Sequence, residues 1–189
     1  MSAAEVHPNA TLTPSKLDLL REWLPRQAWF VGHVDDLERV AAFRFVDPAG
    51  KVGLDNMIIK SRGTSFFVPV TWRDTPSSLA SLIGTLEHSE LGTRYCYDAA
   101  TDLTYLAEMR RVIREGDTNT AVVDTDGNAQ PLTVNAYGSV VPADVVTTQV
   151  TIVREIGRAA ELRDDVVGTL TAEWNDGGHS RREVLAILS

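Results

Sequence analysis

Apolar residues recur at helical spacing near the start of the chain, where Leu17, Leu20, Trp23 and Leu24 repeat until Pro25. Thr13 is a fitting N-cap and Pro14 suits the first helical position, so a short amphipathic helix is expected there. From Leu37 to Trp72 the period changes to two. VAAFRFV, NMIIK and FFVPVTW are separated by the turn signals Asp47-Pro48-Ala49-Gly50 and Ser61-Arg62-Gly63-Thr64, which predicts an antiparallel meander. In the third of these strands Phe66, Val68, Val70 and Trp72 share one face, and Pro69, which has no amide hydrogen, places the strand at an edge or beside a bulge.

Helical period returns after Thr101 and Asp102, one of which caps it. Tyr105, Leu106, Met109, Val112 and Ile113 form an apolar stripe and Gly116 ends the helix. Beyond it TAVVDT and PLTVNAY flank Asp126-Gly127-Asn128, VVTTQVTIV reads as a strand, and GTLTAEW and REVLAIL flank Asn175-Asp176-Gly177-Gly178. The expected organisation is a helix, β-meander, helix region over residues 1–116 and a β-rich part over 117–189, packed as one compact unit. The fold class is α+β, a curved antiparallel sheet packed on helices.

Composition narrows the function classes. With 43% hydrophobic and 23% charged residues among 189, the chain has ordinary globular proportions. Its 18 basic residues against 26 acidic ones give a formal charge of -8, which repels a phosphate backbone at long range, so no nucleic-acid partner is expected. Arg110, Arg111 and Arg114 crowd the last turns of the second helix, where the helix dipole favours cations, and read as a solvated face. Cys96 is the single cysteine, the start lacks an export signal, and no run of about 18 apolar residues occurs, so the expected location is the cytoplasm with no membrane partner.

Candidate chemistry centres on LIGTLEHSELGTRYCYDAATD, residues 82–102. Glu87, His88 and Glu90 have the chemistry of an acid-base group, since a histidine between carboxylates titrates near neutral pH. The alternative is that they hydrogen-bond backbone amides of the Gly84 and Gly92 turns. With LGTRYCY as a strand, Arg94, Cys96 and Asp98 point to one face and Thr93, Tyr95 and Tyr97 to the other, so the group cannot all converge. Cys96 reads as a small buried residue. The four histidines are scattered, and the phosphate-loop, dinucleotide and serine-elbow motifs are absent, so no metal, cofactor or catalytic residue is assigned. Binding candidates are Glu87, His88, Trp29 and Trp72, with Trp174 as a further aromatic surface for a sugar.

Two blocks carry a family resemblance. WLPRQAWF at 23–30 and the 82–102 stretch, through Trp23, Leu24, Pro25, Gln27, Trp29, Phe30, Gly84, Thr85, Glu87, His88, Leu91, Gly92, Thr93, Tyr97 and Asp98, resemble the N-terminal cap domain of actinobacterial maltokinases, ATP-dependent enzymes of the trehalose-to-glycogen route. The resemblance spans residues 15–115 and implies a cystatin-like cap, a curved sheet wrapped on a helix. Ala28 and His33 stand where the family has basic residues, and the His-Gly-Asp loop of its catalytic lobe does not occur, so the expectation is a stand-alone cap without the kinase lobes. The matched residues are then architectural, with Trp29 and Phe30 as core anchors.

The resulting expectation is a non-catalytic cap-like module that binds or regulates an enzyme of maltose, trehalose or α-glucan metabolism. A kinase or glucan enzyme of that pathway is the expected partner, and a homodimer through a sheet edge is a second. The alternatives are a binder of a sugar or sugar phosphate, and a small enzyme built on Glu87 and His88.

Overall fold

A computed structural model describes residues 4–5, 7, 9–147, 149–157 and 165–189. The first elements are β1 (Ala4–Glu5), β2 (Leu12–Thr13) and α1 (Lys16–Trp23), and the helix continues as a 3₁₀ turn over Leu24–Arg26. Its N-cap is Ser15 and not Thr13. Thr13 is spent as a strand residue, whereas the Ser15 hydroxyl accepts from the Asp18 amide at 3.2 Å and the Ser15 amide donates to the Asp18 carboxylate at 3.3 Å, closing a capping box.

The meander forms as the alternation predicts. Strands β3 (Glu38–Val46), β4 (Gly53–Ser61) and β5 (Thr64–Arg73) pair in sequence, and the β4–β5 hairpin turns on Arg62 and Gly63, both at positive φ. Then come β6 (Leu82–His88) and β7 (Gly92–Asp98), which complete a curled six-stranded antiparallel sheet in the order β2-β6-β7-β5-β4-β3.

Strand β5 is an interior strand, contrary to the expectation drawn from Pro69. One side pairs with β4 along the whole strand. The other side is divided: the Phe67 amide donates to the Arg154 carbonyl at 2.9 Å, and pairing with β7 begins at Val70. Pro69 stands at the changeover, where its missing N–H leaves no ladder bond unmade. A segment far downstream thus completes the edge that β7 leaves open.

Helix α2 (Leu103–Glu115) starts on an Asp102 N-cap, whose carboxylate accepts from the Thr104 amide at 2.9 Å, and ends at Gly116 with φ 67°. The β-rich part contributes β8 (Val122–Val123), β9 (Val134–Gly138), β10 (Val150–Ile152), β11 (Gly168–Asp176) and β12 (His179–Leu188). β9, β10, β11 and β12 form a second antiparallel sheet in the order β10-β12-β11-β9, and β1 pairs in parallel with β8. The strand expected over VVTTQVTIV is described as β10 alone, and Thr148 within it lies outside the described residues.

Two hydrophobic clusters lie on opposite faces of the large sheet. On one face Phe43, Phe45, Leu54, Ile58 and Phe67 pack with Tyr105, Met109 and Ile113 of α2 and with Ala136, Leu170, Ala172 and Leu185 of the second sheet. On the other, Met57, Ile59, Phe66, Val68, Val70, Trp72, Leu86 and Cys96 pack with Leu19, Leu20, Trp23 and Leu24 of the first helix. The first cluster is continuous across residue 116, because residues before and after it bury their apolar surface against one another.

The arginines of α2 are engaged and not merely solvated. Arg111 donates to Glu108 and to Glu115 and Asp117, and Arg114 donates to the carbonyls of Pro142, Ala143 and Val145 and to Thr147. The helix backbone also touches the second sheet directly: a Cβ on Gly138 would come within 2.0 Å of the Val112 carbonyl oxygen and 2.7 Å of the Ile113 Cα. Both are backbone atoms and cannot yield cheaply. Gly138→Ala is therefore expected to lower stability by roughly 2 to 3 kcal/mol, the upper range for forced overpacking, measured by urea unfolding; an unchanged midpoint would show that α2 does not seat on β9 in this way.

Candidate functional site

The face of the large sheet that carries α1 is not covered to its end. Where the helix stops short, β2, the start of α1, the β3–β4 hairpin and the β6–β7 hairpin surround a cleft of about 880 Å³. Trp72, Gly53 and Asp55 lie in its floor, Lys16 and Leu17 in one wall, and His7, His88, Leu91 and Arg94 in another. A shallower hollow of about 550 Å³ adjoins it, and Gly50, Lys51 and Arg94 line both.

A buried carboxylate organises the floor. Asp55 sits in mid-strand between Leu54 and Asn56 and is 5% exposed, and its carboxylate takes the Lys16 ammonium and, at 3.8 Å, the Arg44 guanidinium. Burial alone would raise its pKa; Lys16 and Arg44 outweigh that and hold it at about 2. The Lys16 ammonium also lies 5.3 Å from the Trp72 ring centroid, so one face of the indole is occupied. Trp72 is buried, and its indole N–H has no hydrogen-bond partner among the described residues.

Asp47 serves the hairpin that forms the cleft's outer lip. Its carboxylate accepts from the amides of Ala49, Lys51 and Val52, each at 3.0 Å, which fixes the position of Lys51.

Of the residues singled out in the sequence, Trp72 and His88 meet in this cleft while Glu87 and Trp29 do not. Successive strand residues face opposite ways, and Glu87 is exposed, its carboxylate accepting from the Thr93 hydroxyl at 2.8 Å across the hairpin. His88 turns its Nδ1 to the amides of Glu90 and Leu91, both at 3.2 Å, and so closes the β6–β7 turn. Beside it, His7 Nδ1 and the Glu90 carboxylate are 2.6 Å apart, and the two imidazoles meet edge to face at 5.2 Å. Trp29 lies in an aromatic group with Trp23, Phe30 and Phe66. Above it sits the Arg154 guanidinium, 4.7 Å from the ring and bonded to Asp98. Trp174 packs in the core on the α2 side with its neighbour strands. Cys96 is 2% exposed and burial pushes its thiol far above the ordinary range, so it is no nucleophile.

The sequence reading missed Lys16, Arg44, Asp55 and Lys51, and named Arg94 only as a member of the 82–102 stretch. One signal was available: an aspartate inside the apolar run Leu54-Asp55-Asn56-Met57-Ile58-Ile59 is a candidate for burial, which demands a cation or several donors, though nothing local says which.

This sheet, with its aromatic group and its hairpin signature, is the part of the chain that known proteins explain. Residues 23–102 match the family model of the maltokinase N-terminal cap domain. No curated protein and no solved structure matches the chain. The cap match runs from the last residue of α1 to the N-cap of α2. It therefore takes in the aromatic group, strands β3 to β7 and the floor of the cleft, but not His7, Lys16 or Arg154. Among the described residues no group of three or more histidine, cysteine or acidic side chains is placed to hold a metal ion, and no helix is long and apolar enough to cross a membrane.

His88 gives the matched region a pH dependence. Burial first, then the charges of His7, Arg94 and Lys16, lower its pKa below the ordinary histidine value of about 6.5, against the opposing pull of Glu90. The unfolded chain therefore binds the proton first, and the stabilisation from neutral His88 is complete above about 6.5 and lost as pH falls below it. His88→Asn, whose side-chain oxygen replaces Nδ1 as the acceptor but does not titrate, is expected to keep the stability at neutral pH within about 1 kcal/mol of the parent and to flatten the fall in Tm between about pH 7.5 and 5.5. A variant as pH-sensitive as the parent would show that His88 is not the source of the effect.

Proposed function

We propose that this chain is a non-catalytic module of the maltokinase-cap type that binds or regulates an enzyme of maltose, trehalose or α-glucan metabolism. The observation that carries this reading is the cap match over residues 23–102. What the matched positions do in this fold agrees with it. Trp29 and Phe30 pack tilted against Phe66 of the sheet, with the Phe30 and Phe66 ring centroids 5.0 Å apart, and a Cβ on Gly84 would come within 2.8 Å of Leu19. Tyr97 accepts the Ser77 amide at 2.6 Å, and Asp98 caps the turn that leads to α2. These are positioning roles, and none of them presents a reactive group to a cavity.

The enzyme alternative fares poorly on the same geometry. Glu87 and His88 point to opposite sides of β6, and His88 Nδ1 and one Glu87 carboxylate oxygen are bonded within the hairpin, so they share no substrate position. The neutral-sugar alternative needs an open aromatic plate, whereas Trp72 is buried with Lys16 against its ring and Trp29 is covered by Arg154.

The test is direct binding of the purified chain to purified maltokinase and to an α-glucan synthase or transferase of the same pathway, by biolayer interferometry. Saturable association at micromolar Kd or tighter with one of them, with no phosphate transfer from ATP to maltose by the chain alone, supports the module. Turnover by the isolated chain, or no association with any of these enzymes, overturns it.

A further inference from the structure

We propose that the cleft beside α1 is a binding site for a small amphipathic organic anion, with a carboxylate or phosphate head on Arg94 and Lys51 and an apolar body along Leu12, Leu17, Val46 and Leu91. The inference stands independently of any partner enzyme.

Charge provides the first step. In a chain of net charge -8, this one cleft brings together Lys16, Arg39, Arg44, Lys51 and Arg94 against Glu38, Asp47 and Asp55. Two of the acids are already consumed. Asp55 answers Lys16 and Arg44, and Asp47 answers three backbone amides. With Glu38 the one acid left in the cleft, the local excess of positive charge falls on Arg94, Lys51 and Arg39.

Arg94 is the decisive residue. It is half-buried on β7, lines both the cleft and the adjoining hollow, and has no hydrogen bond or ion pair among the described residues. A guanidinium partly withdrawn from water without an acceptor loses hydration and gains nothing in return, so half-buried arginines are ordinarily paired. Five donors in a planar fork, held by a rigid strand at the junction of two hollows, fit a carboxylate or a phosphate group. Lys51, fixed at the hairpin by the Asp47 turn, lines the same junction and adds a point charge.

The apolar body follows from the walls. Leu12, Leu17 and Val46 are half-buried and Leu91 is 48% exposed, so a ligand can reach all four and would remove them from water. A sugar phosphate would satisfy Arg94 but bring hydroxyls to these side chains, and a neutral amphiphile would leave Arg94 unpaired.

The probes are octanoate and octyl phosphate below their micellar concentrations, with glucose 6-phosphate, octyl glucoside and inorganic phosphate as comparisons, titrated into the full chain by calorimetry. At least one of the two anionic amphiphiles is expected to bind at a Kd below about 1 mM, at least tenfold tighter than all three comparisons, and their ranking identifies the head group. Arg94→Met should weaken that binding by about tenfold or more and Arg94→Lys by less, while Arg26→Met, outside the cleft, leaves it unchanged. Melting curves confirm that each variant is folded, and Lys51→Met serves in place of Arg94→Met should the latter not fold. Octyl glucoside or glucose 6-phosphate binding as tightly as the anionic amphiphiles, undiminished binding by Arg94→Met, or no binding of either amphiphile would each overturn the proposal.

Discussion

The strand carrying Phe66 and Phe67 imposes the main constraint on this fold. Consecutive residues of a strand face opposite ways, and both of these are fully buried, so the sheet has no solvent side at its centre. A sheet buried on both faces needs two covers. The first helix with its aromatic extension is one, and α2 with the second sheet is the other. At about 25 cal/mol per Å² of apolar surface, exposing either face of such a sheet would cost more than a domain's whole stability of 5–15 kcal/mol, so the sheet cannot stand without both. The cap match begins at the last residue of the first helix and ends at the N-cap of α2. It thus covers the sheet, while most of both covers lies outside it.

Arg154 shows how the downstream part is joined to the matched region. Its carbonyl takes the Phe67 amide, its guanidinium binds Asp98, and the same guanidinium lies on Trp29. Together with Ile156, whose amide donates to the Ser65 carbonyl, Arg154 therefore fills the open half of the β5 edge, and by itself it pairs a mostly buried carboxylate and closes the aromatic group. Each is a requirement that the sheet creates and cannot meet from its own strands. Removing only the side chain would leave Asp98 buried without its cation, which is worse than never having had the pair.

Much of the architecture was legible because its signals are local. Period-two alternation located β3, β4 and β5, the stripe from Tyr105 to Ile113 located α2, and the strand alternation of LGTRYCY separated Arg94 and Cys96 from Tyr95 and Tyr97 as the register places them. Where the reading failed, a distant partner decided the outcome. Pro69 looked like an edge residue because the segment that completes β5 lies more than eighty positions away. Thr13 looked like a cap because its pairing with Glu87 in β6 is not visible from its neighbours. The candidate site was legible only in part for the same reason: Trp72 and His88 were named, but Lys16 and Asp55 are 39 positions apart and Arg94 drew attention only as a member of a supposed catalytic group.

That supposed group illustrates a general point about dense runs of polar residues. Glu87, His88, Glu90, Arg94, Cys96 and Asp98 fall within twelve positions, and strand geometry distributes them among a hairpin bond, a turn cap, a contact with His7, a cleft wall, an apolar core and an ion pair with Arg154. Five of the six end with their polar capacity met or their surface packed. Proximity in sequence brought them no closer in space, because on a strand every second residue leaves for the other side. The residue that differs is Arg94, which the fold holds in place and leaves without an acceptor among the described residues. On this strand the other polar groups are spent on structure, and the one left over marks where we propose an outside group binds.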